Sequence, residues 1–95
     1  MTKMDIVDYI SEQIAIPKKN IDRVLMLLFE NIKTNISQGE TIYFRGFGTF
    51  GTKLRKARVA RNPKTNEKIN VPAHKVPYFK PGKELKEMVT KKKID

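Results

Sequence analysis

A long apolar stripe along residues 21–36 constrains the fold more than any other feature of the sequence. Its members repeat at intervals of three and four residues: Ile21, Val24, Leu25, Leu28, Phe29, Ile32 and Ile36. This spacing predicts an amphipathic helix of about five turns, with a break at Pro17 before it and a stop signal at Gly39 after it. So broad an apolar face must be buried, either in the chain's own core or against a second chain.

A shorter helix is predicted before this stripe. Thr2 and Asp5 have the spacing of a capping box, and Ile6, Ile10 and Ile14 follow at four-residue intervals. This helix is too short to cover the whole apolar face of the second one. A chain of 95 residues without cysteine also buries a small core and forms no disulfide, so pairing with another chain would stabilise it.

Strands are predicted after Gly39, where apolar residues alternate with polar ones. Ile42 and Phe44 would lie on one face of a first strand, and a glycine turn at 46–48 would lead into a second. Residues 53–60 and 67–76 would form two further strands that lack a core of their own, joined by a turn. We therefore expect a β-ribbon arm that projects from the body. Two prolines, Pro72 and Pro77, confine the returning strand to an edge.

The excess of positive charge is confined to the middle of the chain. The formal net charge is +10, and residues 41–83 hold eleven basic residues against one acid, Glu67. A field concentrated in this way attracts a polyanion, and nucleic acid is the commonest such partner. Since the basic residues fall on predicted strands, a membrane-surface helix is the weaker interpretation.

The sequence argues against a catalytic or metal site. His74 is the single histidine, which alone forms neither a metal centre nor a triad. Asp5, Asp8 and Glu12 are typical of a solvated helix face, and no nucleophile accompanies a base. We expect no enzyme activity, no cofactor and no metal. The N-terminus has neither a signal peptide nor a membrane span, so we expect a soluble, cytoplasmic protein.

Three strings occur in order along the chain. They are Gly46-Phe47-Gly48-Thr49-Phe50, Arg61-Asn62-Pro63-Lys64-Thr65 and Val76-Pro77-Tyr78-Phe79-Lys80-Pro81-Gly82-Lys83. Together they resemble the HU and integration host factor family of bacterial nucleoid proteins, over residues 2–89. Two positions depart from the family pattern: Pro17 replaces a capping serine or threonine, and Asn66 replaces a frequent glycine.

The resemblance implies an α+β fold in a single domain over residues 1–95. Residues 1–40 would form a two-helix dimerisation base, and residues 41–81 a three-stranded antiparallel sheet that extends into the arm, with its tip near 61–66. Residues 82–93 would form a short C-terminal helix. The pattern of apolar residues itself predicts Leu85, Met88 and Val89 as the buried side of this helix. Two chains would intertwine, and their shared core would contain Leu28, Phe29, Ile32, Phe44, Phe47, Phe50 and Phe79.

The resemblance also implies the DNA contacts. Pro63 would be a wedge between base pairs, with Arg61 and Asn62 at the groove floor. The simpler interpretation of Pro63 is that it only shapes the turn. The remaining candidates would contact phosphates: Arg45, Lys53, Arg55, Arg58, Lys64, Lys68, Lys75, Lys80, Lys83 and Lys86, with Lys3 as a further candidate.

The function implied is that of an architectural protein of the bacterial nucleoid. Its paired arms would bind the minor groove of double-stranded DNA, preferably bent, nicked or gapped, and bend or compact it with little sequence specificity. Arg45 and the run from Lys80 to Lys83 look more like the integration host factor branch, so a site-preferring DNA bender is the first alternative. An RNA-binding protein is the second. A homodimer is favoured, and a heterodimer with a paralogue stays open.

Overall fold

The computed structural model describes residues 1–91 of the chain, which form three helices and five strands. In chain order these elements are α1 (Lys3–Gln13), α2 (Lys18–Ser37), β1 (Ile42–Phe44), β2 (Gly48–Arg55), β3 (Arg58–Arg61), β4 (Lys68–Val71), β5 (His74–Pro81) and α3 (Lys83–Thr90). The chain divides into two compact units, Met1–Thr34 and Asn35–Asp95. The predicted end of the last helix, at Lys92 and Lys93, lies outside the described residues.

The first unit contains α1 and most of α2. The predicted capping box is confirmed, since the backbone N–H of Thr2 donates to the carboxylate of Asp5 over 2.8 Å. Val7 of α1 is fully buried and Ile21 of α2 is 5% exposed. The helix pair therefore packs around a small apolar centre.

Two ion pairs join α1 to the start of α2. Lys3 Nζ lies 2.9 Å from an Asp22 carboxylate oxygen, and Lys18 Nζ lies 3.0 Å from an Asp8 oxygen. Both pairs are partly exposed, so each contributes little to the free energy of unfolding. Lys3, a candidate DNA contact, thus already has an acidic partner within the protein.

The predicted boundaries of α2 are confirmed. The helix begins directly after Pro17, whose carbonyl accepts hydrogen bonds from the N–H groups of Asn20 and Ile21. It ends at Ser37, and Gly39 then adopts a φ of +85°, a conformation that glycine reaches without strain.

A three-stranded antiparallel sheet forms the body of the second unit. Its order is β1-β2-β5, so β5 is an edge strand, as Pro77 in it requires. The turn between β1 and β2 closes with a hydrogen bond from the Phe47 N–H to the Phe44 carbonyl, and Gly46 has a φ of +81°. The predicted glycine turn is confirmed.

The arm is a separate two-stranded ribbon of β3 and β4. We predicted uninterrupted strands over 53–60 and 67–76, and this was wrong. The ladder stops after the pair Arg55 and His74 and resumes at the pair Arg58 and Val71. Pro72 lies in the interruption, where its missing N–H removes a donor from the ladder.

Little apolar surface is covered within the single chain. Among the described residues, Val7 and Ile21 are the buried apolar side chains. The prediction that Met88 and Val89 form a buried side of α3 was wrong for this chain, because they are 64% and 66% exposed. Leu85 is half-buried.

The predicted dimer core is also incompletely covered. Its exposed members retain 36–49% of their accessible surface: Leu28, Phe29, Phe47 and Phe79. Its half-buried members are Ile32, Phe44 and Phe50. These residues remain available to a second chain.

Candidate nucleic-acid interface

The turn at the arm tip places Pro63 in solvent and is held by Asn62. The Asn62 N–H donates to the Glu67 carbonyl over 2.9 Å, and the Asn62 carbonyl accepts the Asn66 N–H over 2.7 Å. The side-chain oxygen of Asn62 also accepts the Lys64 N–H over 2.9 Å, which is an Asx turn. Pro63 is thus exposed at the start of a turn that its fixed φ suits.

Asn66 ends this turn in the left-handed conformation, with a φ of +60°. Asparagine tolerates that region better than most residues, which explains how it can replace glycine here. Its side-chain oxygen accepts a hydrogen bond from the Arg61 guanidinium over 3.2 Å. Arg61 and the Asn62 carboxamide oxygen therefore support the tip itself.

The three-stranded sheet has one polar, positively charged face, here called the basic face. The strand register shows which residues lie on the basic face. Residues that pair across the ladder share a face, and successive residues along one strand point to opposite faces. On β2 they are Thr49, Gly51, Lys53 and Arg55, and opposite them Lys80, Tyr78, Val76 and His74 of β5 and Tyr43 of β1. The Lys53 ammonium lies 4.9 Å from the centre of the Tyr78 ring, a cation–π contact that holds it against this face.

The opposite face of the sheet is apolar and aromatic. Phe50 pairs with Phe79, and their ring centres are 4.7 Å apart. Phe47 lies 5.2 Å from Phe79 and Phe44 lies 6.0 Å from Phe50. These aromatic side chains pack on one another.

Lys75 is on this second face, because it pairs with Leu54. The predicted phosphate contacts on the sheet are therefore divided, with Lys53, Arg55 and Lys80 on the basic face and Lys75 on the other. Successive side chains of a strand point to opposite faces, so the neighbours His74 and Lys75 cannot lie on the same face.

The ribbon divides its cations in the same way. Arg61 pairs with Lys68 on one face, and Arg58 pairs with Val71 on the other. Arg58 also lines a shallow depression with residues of the sheet: Arg55, Lys56, His74 and Val76. The positive charge of the basic face thus continues onto the arm through Arg58.

Other predicted contacts lie on the body of the second unit. Arg45 is exposed in the turn between β1 and β2, and Lys83 and Lys86 are exposed on the first turns of α3. Gly82 caps that helix and donates its N–H to the Phe47 carbonyl over 2.8 Å. The start of α3 is therefore fixed beside the turn that carries Arg45.

Besides the apolar Val76, two residues of the depression were absent from the predicted set, and both can carry charge. Lys56 follows Arg55 in the interruption, and the imidazole of His74 is exposed opposite Arg55. Lys56 could have been included from the run of basic residues over 53–58, whereas the strand register was needed to show that His74 lies opposite Arg55. Within the described residues no cluster of three or more metal-ligating side chains is present, and no helix there is long and apolar enough to cross a membrane.

Comparison with known proteins decides the family. The family model described as bacterial DNA-binding protein matches residues 1–90. This chain belongs to the bacterial DNA-binding protein family.

Several members of this family are similar to the chain over nearly its whole length. The DNA-binding protein HU of Nostoc sp. is 44% identical over 89 residues, which cover 94% of this chain and 95% of that protein. Integration host factor subunit beta of Marinomonas sp. is 40% identical over 90 residues, covering 94% and 88%.

Solved structures of this family also match. The HU of an Anabaena HU–DNA cocrystal has a TM-score of 0.91 at 42% identity and covers 97% of this chain and 100% of that one. HU from Thermotoga maritima has a TM-score of 0.65 at 29% identity, covering 94% and 98%. The predicted family and fold class are confirmed.

Proposed function

We propose that this protein is an architectural DNA-binding protein of the bacterial nucleoid, located in the cytoplasm, which acts as a dimer and bends double-stranded DNA. One observation carries the proposal: eleven basic residues against one acid occupy residues 41–83, and most of them lie on the basic face, in the interruption beside it or on the arm tipped by Pro63. Charge neutralisation of phosphates supplies affinity without reading sequence.

The exposed apolar surface supports a dimer. On α2, Val24 and Leu27 retain 64% and 54% of their accessible surface, and in the turn between β1 and β2 Phe47 retains 49%. A protein of this size cannot leave so many large apolar side chains in water without loss of stability or solubility. A second copy with the same exposed surfaces is the partner we propose, with a related chain as the alternative.

In the proposed mechanism, each Pro63 enters the minor groove and opens a base step. The proline ring is rigid and apolar, and it brings no N–H that would need a partner between bases. Bending the site costs on the order of 1–6 kcal/mol, and contacts by lysines of the body and arm with the bent duplex offset that cost. Nicked, gapped or already bent DNA avoids part of the bending cost, so the protein should bind such DNA more tightly.

The test compares one duplex sequence, intact and with a central nick, across a salt series. We expect tighter binding to the nicked duplex for the wild type. Pro63→Ala should reduce the difference in affinity between the nicked and the intact duplex. It should leave the salt slope unchanged, since it removes no charge. Lys68→Gln, near the tip, is the matched control, and it should lower the slope while keeping the preference for the nick. If the wild type binds both duplexes with equal affinity, the proposed insertion of Pro63 is wrong and the protein binds DNA through charge alone.

Two alternatives are separated by competitors in the same assay. Similarity to an integration host factor subunit, together with Arg45 on the body, favours some sequence preference, which selection from a random duplex pool would reveal. An RNA-binding protein would prefer duplex or single-stranded RNA over duplex DNA. Exposed aromatic side chains for base stacking are few on the basic face, where Tyr43 is 69% exposed and Tyr78 is engaged by Lys53.

A further inference from the structure

His74 lies within a group of cations at the base of the arm. Arg55 faces it directly across the ladder, and Lys53 is two residues along the same face. Lys56 and Arg58 line the same depression from the interruption and from β3. Lys75, its neighbour on β5, points to the opposite face. No acid lines the depression, and Glu67, the one acid within 41–83, lies beside the tip turn.

The hydrogen bond made by His74 leaves one ring nitrogen for a ligand. Nδ1 lies 3.0 Å from the Pro72 carbonyl oxygen, which can only accept, so Nδ1 carries the hydrogen. In the neutral ring, Nε2 then has a lone pair and no hydrogen. Protonation at Nε2 would turn this position into a charged donor suited to an anion.

We propose that His74, in its protonated form, binds a backbone phosphate together with Arg55, Lys56 and Arg58, and so couples DNA binding to proton uptake. The proposal rests on the proposed DNA-binding function and adds a phosphodiester site at the arm base. A phosphate bound in the depression places a negative charge beside the ring, which favours its protonated form. Affinity therefore rises as the pH falls through the range in which imidazole titrates.

The experiment measures the affinity of the full chain for one intact duplex between pH 7.5 and 5.5 at fixed ionic strength. For the wild type we expect the Kd to fall by about twofold to fivefold for each arm, the size of an exposed charged contact. The salt slope should rise by about 0.9 for each His74 that contacts a phosphate. His74→Gln should remove both effects.

Two further variants make the result specific. His74→Arg should bind at all these pH values as tightly as the wild type binds at pH 5.5. Lys75→Gln, which removes a cation from the opposite face, should keep the wild-type pH dependence. Because His74 is the single histidine, no other imidazole contributes. The proposal is overturned if His74→Gln shows the same pH dependence as the wild type, or if neither shows any. Absence of duplex binding at every pH and salt would instead overturn the proposed function.

Discussion

Replacement of Gly48 by alanine should destabilise the sheet more than any other single methyl addition to β2. A Cβ built on Gly48 lies 2.5 Å from two ring carbons of Phe79 and 2.7 Å from the backbone oxygen of Lys80. Ordinary carbon contacts are about 3.5–4.0 Å, so the neighbours must move by about 1 Å. The Phe79 ring contacts Phe47 and Phe50, and Lys80 is fixed by its pairing with Thr49.

Overpacking of this kind costs about 1–3 kcal/mol, and contact with an immobile backbone atom places Gly48→Ala near the upper end. We expect the free energy of unfolding to fall by about 2–3 kcal/mol. For a domain of this size this corresponds to a loss of roughly 10–20 °C in Tm. Urea denaturation followed by circular dichroism would measure it, at one fixed protein concentration because unfolding of a dimer depends on concentration.

Gly51→Ala is the matched control on the same strand. Gly51 is buried like Gly48, and neither has a positive φ, so the entropic gain from losing a glycine is the same in both. The nearest contact of its built Cβ is the Tyr78 ring at 3.1 Å, with no backbone atom among the three nearest. We expect a loss below about 1 kcal/mol. Equal losses for both variants would refute the packing argument.

Two further predictions concern helix stability and DNA affinity. Asp5→Ala should lower the free energy of unfolding by about 0.5–1 kcal/mol in the same urea assay, because the Thr2 N–H loses its acceptor, whereas Glu12→Ala should change it less. Lys53→Gln should lower the salt slope of duplex binding by about 0.9 per arm, and Lys75→Gln should lower it less, because the two lysines lie on opposite faces. The reverse order would contradict the assignment of the basic face.

The helices and the sheet could be predicted because their signals are local. The three- and four-residue spacing of α2, the Thr2 capping box and the glycine turn at Gly46 each depend on neighbours within a few positions. Backbone preference and side-chain periodicity agree at these places, so the prediction from sequence matches the structure.

The interruption of the arm and the faces of its cations could not be predicted in the same way. Both depend on which residue pairs with which across the ladder, and a shift of one residue would exchange the faces. The positions of these residues in the sequence therefore do not show that Lys53 and Lys75 lie on opposite faces or that His74 lies opposite Arg55. The exposure of Met88 and Val89 was missed because amphipathic spacing indicates an apolar side without saying which chain covers it.

The paired interruptions in the arm determine how its tip can move. Residues 56–57 and 72–73 leave the ladder directly opposite each other, and the pairs on both sides keep a common register. The sheet and the ribbon are therefore joined by two short linkers of equal length that lie side by side. We expect this arrangement to permit bending about an axis that crosses both strands more readily than twisting or sliding. The tip with Pro63 would then move along an arc while the pairing of β3 with β4 is kept.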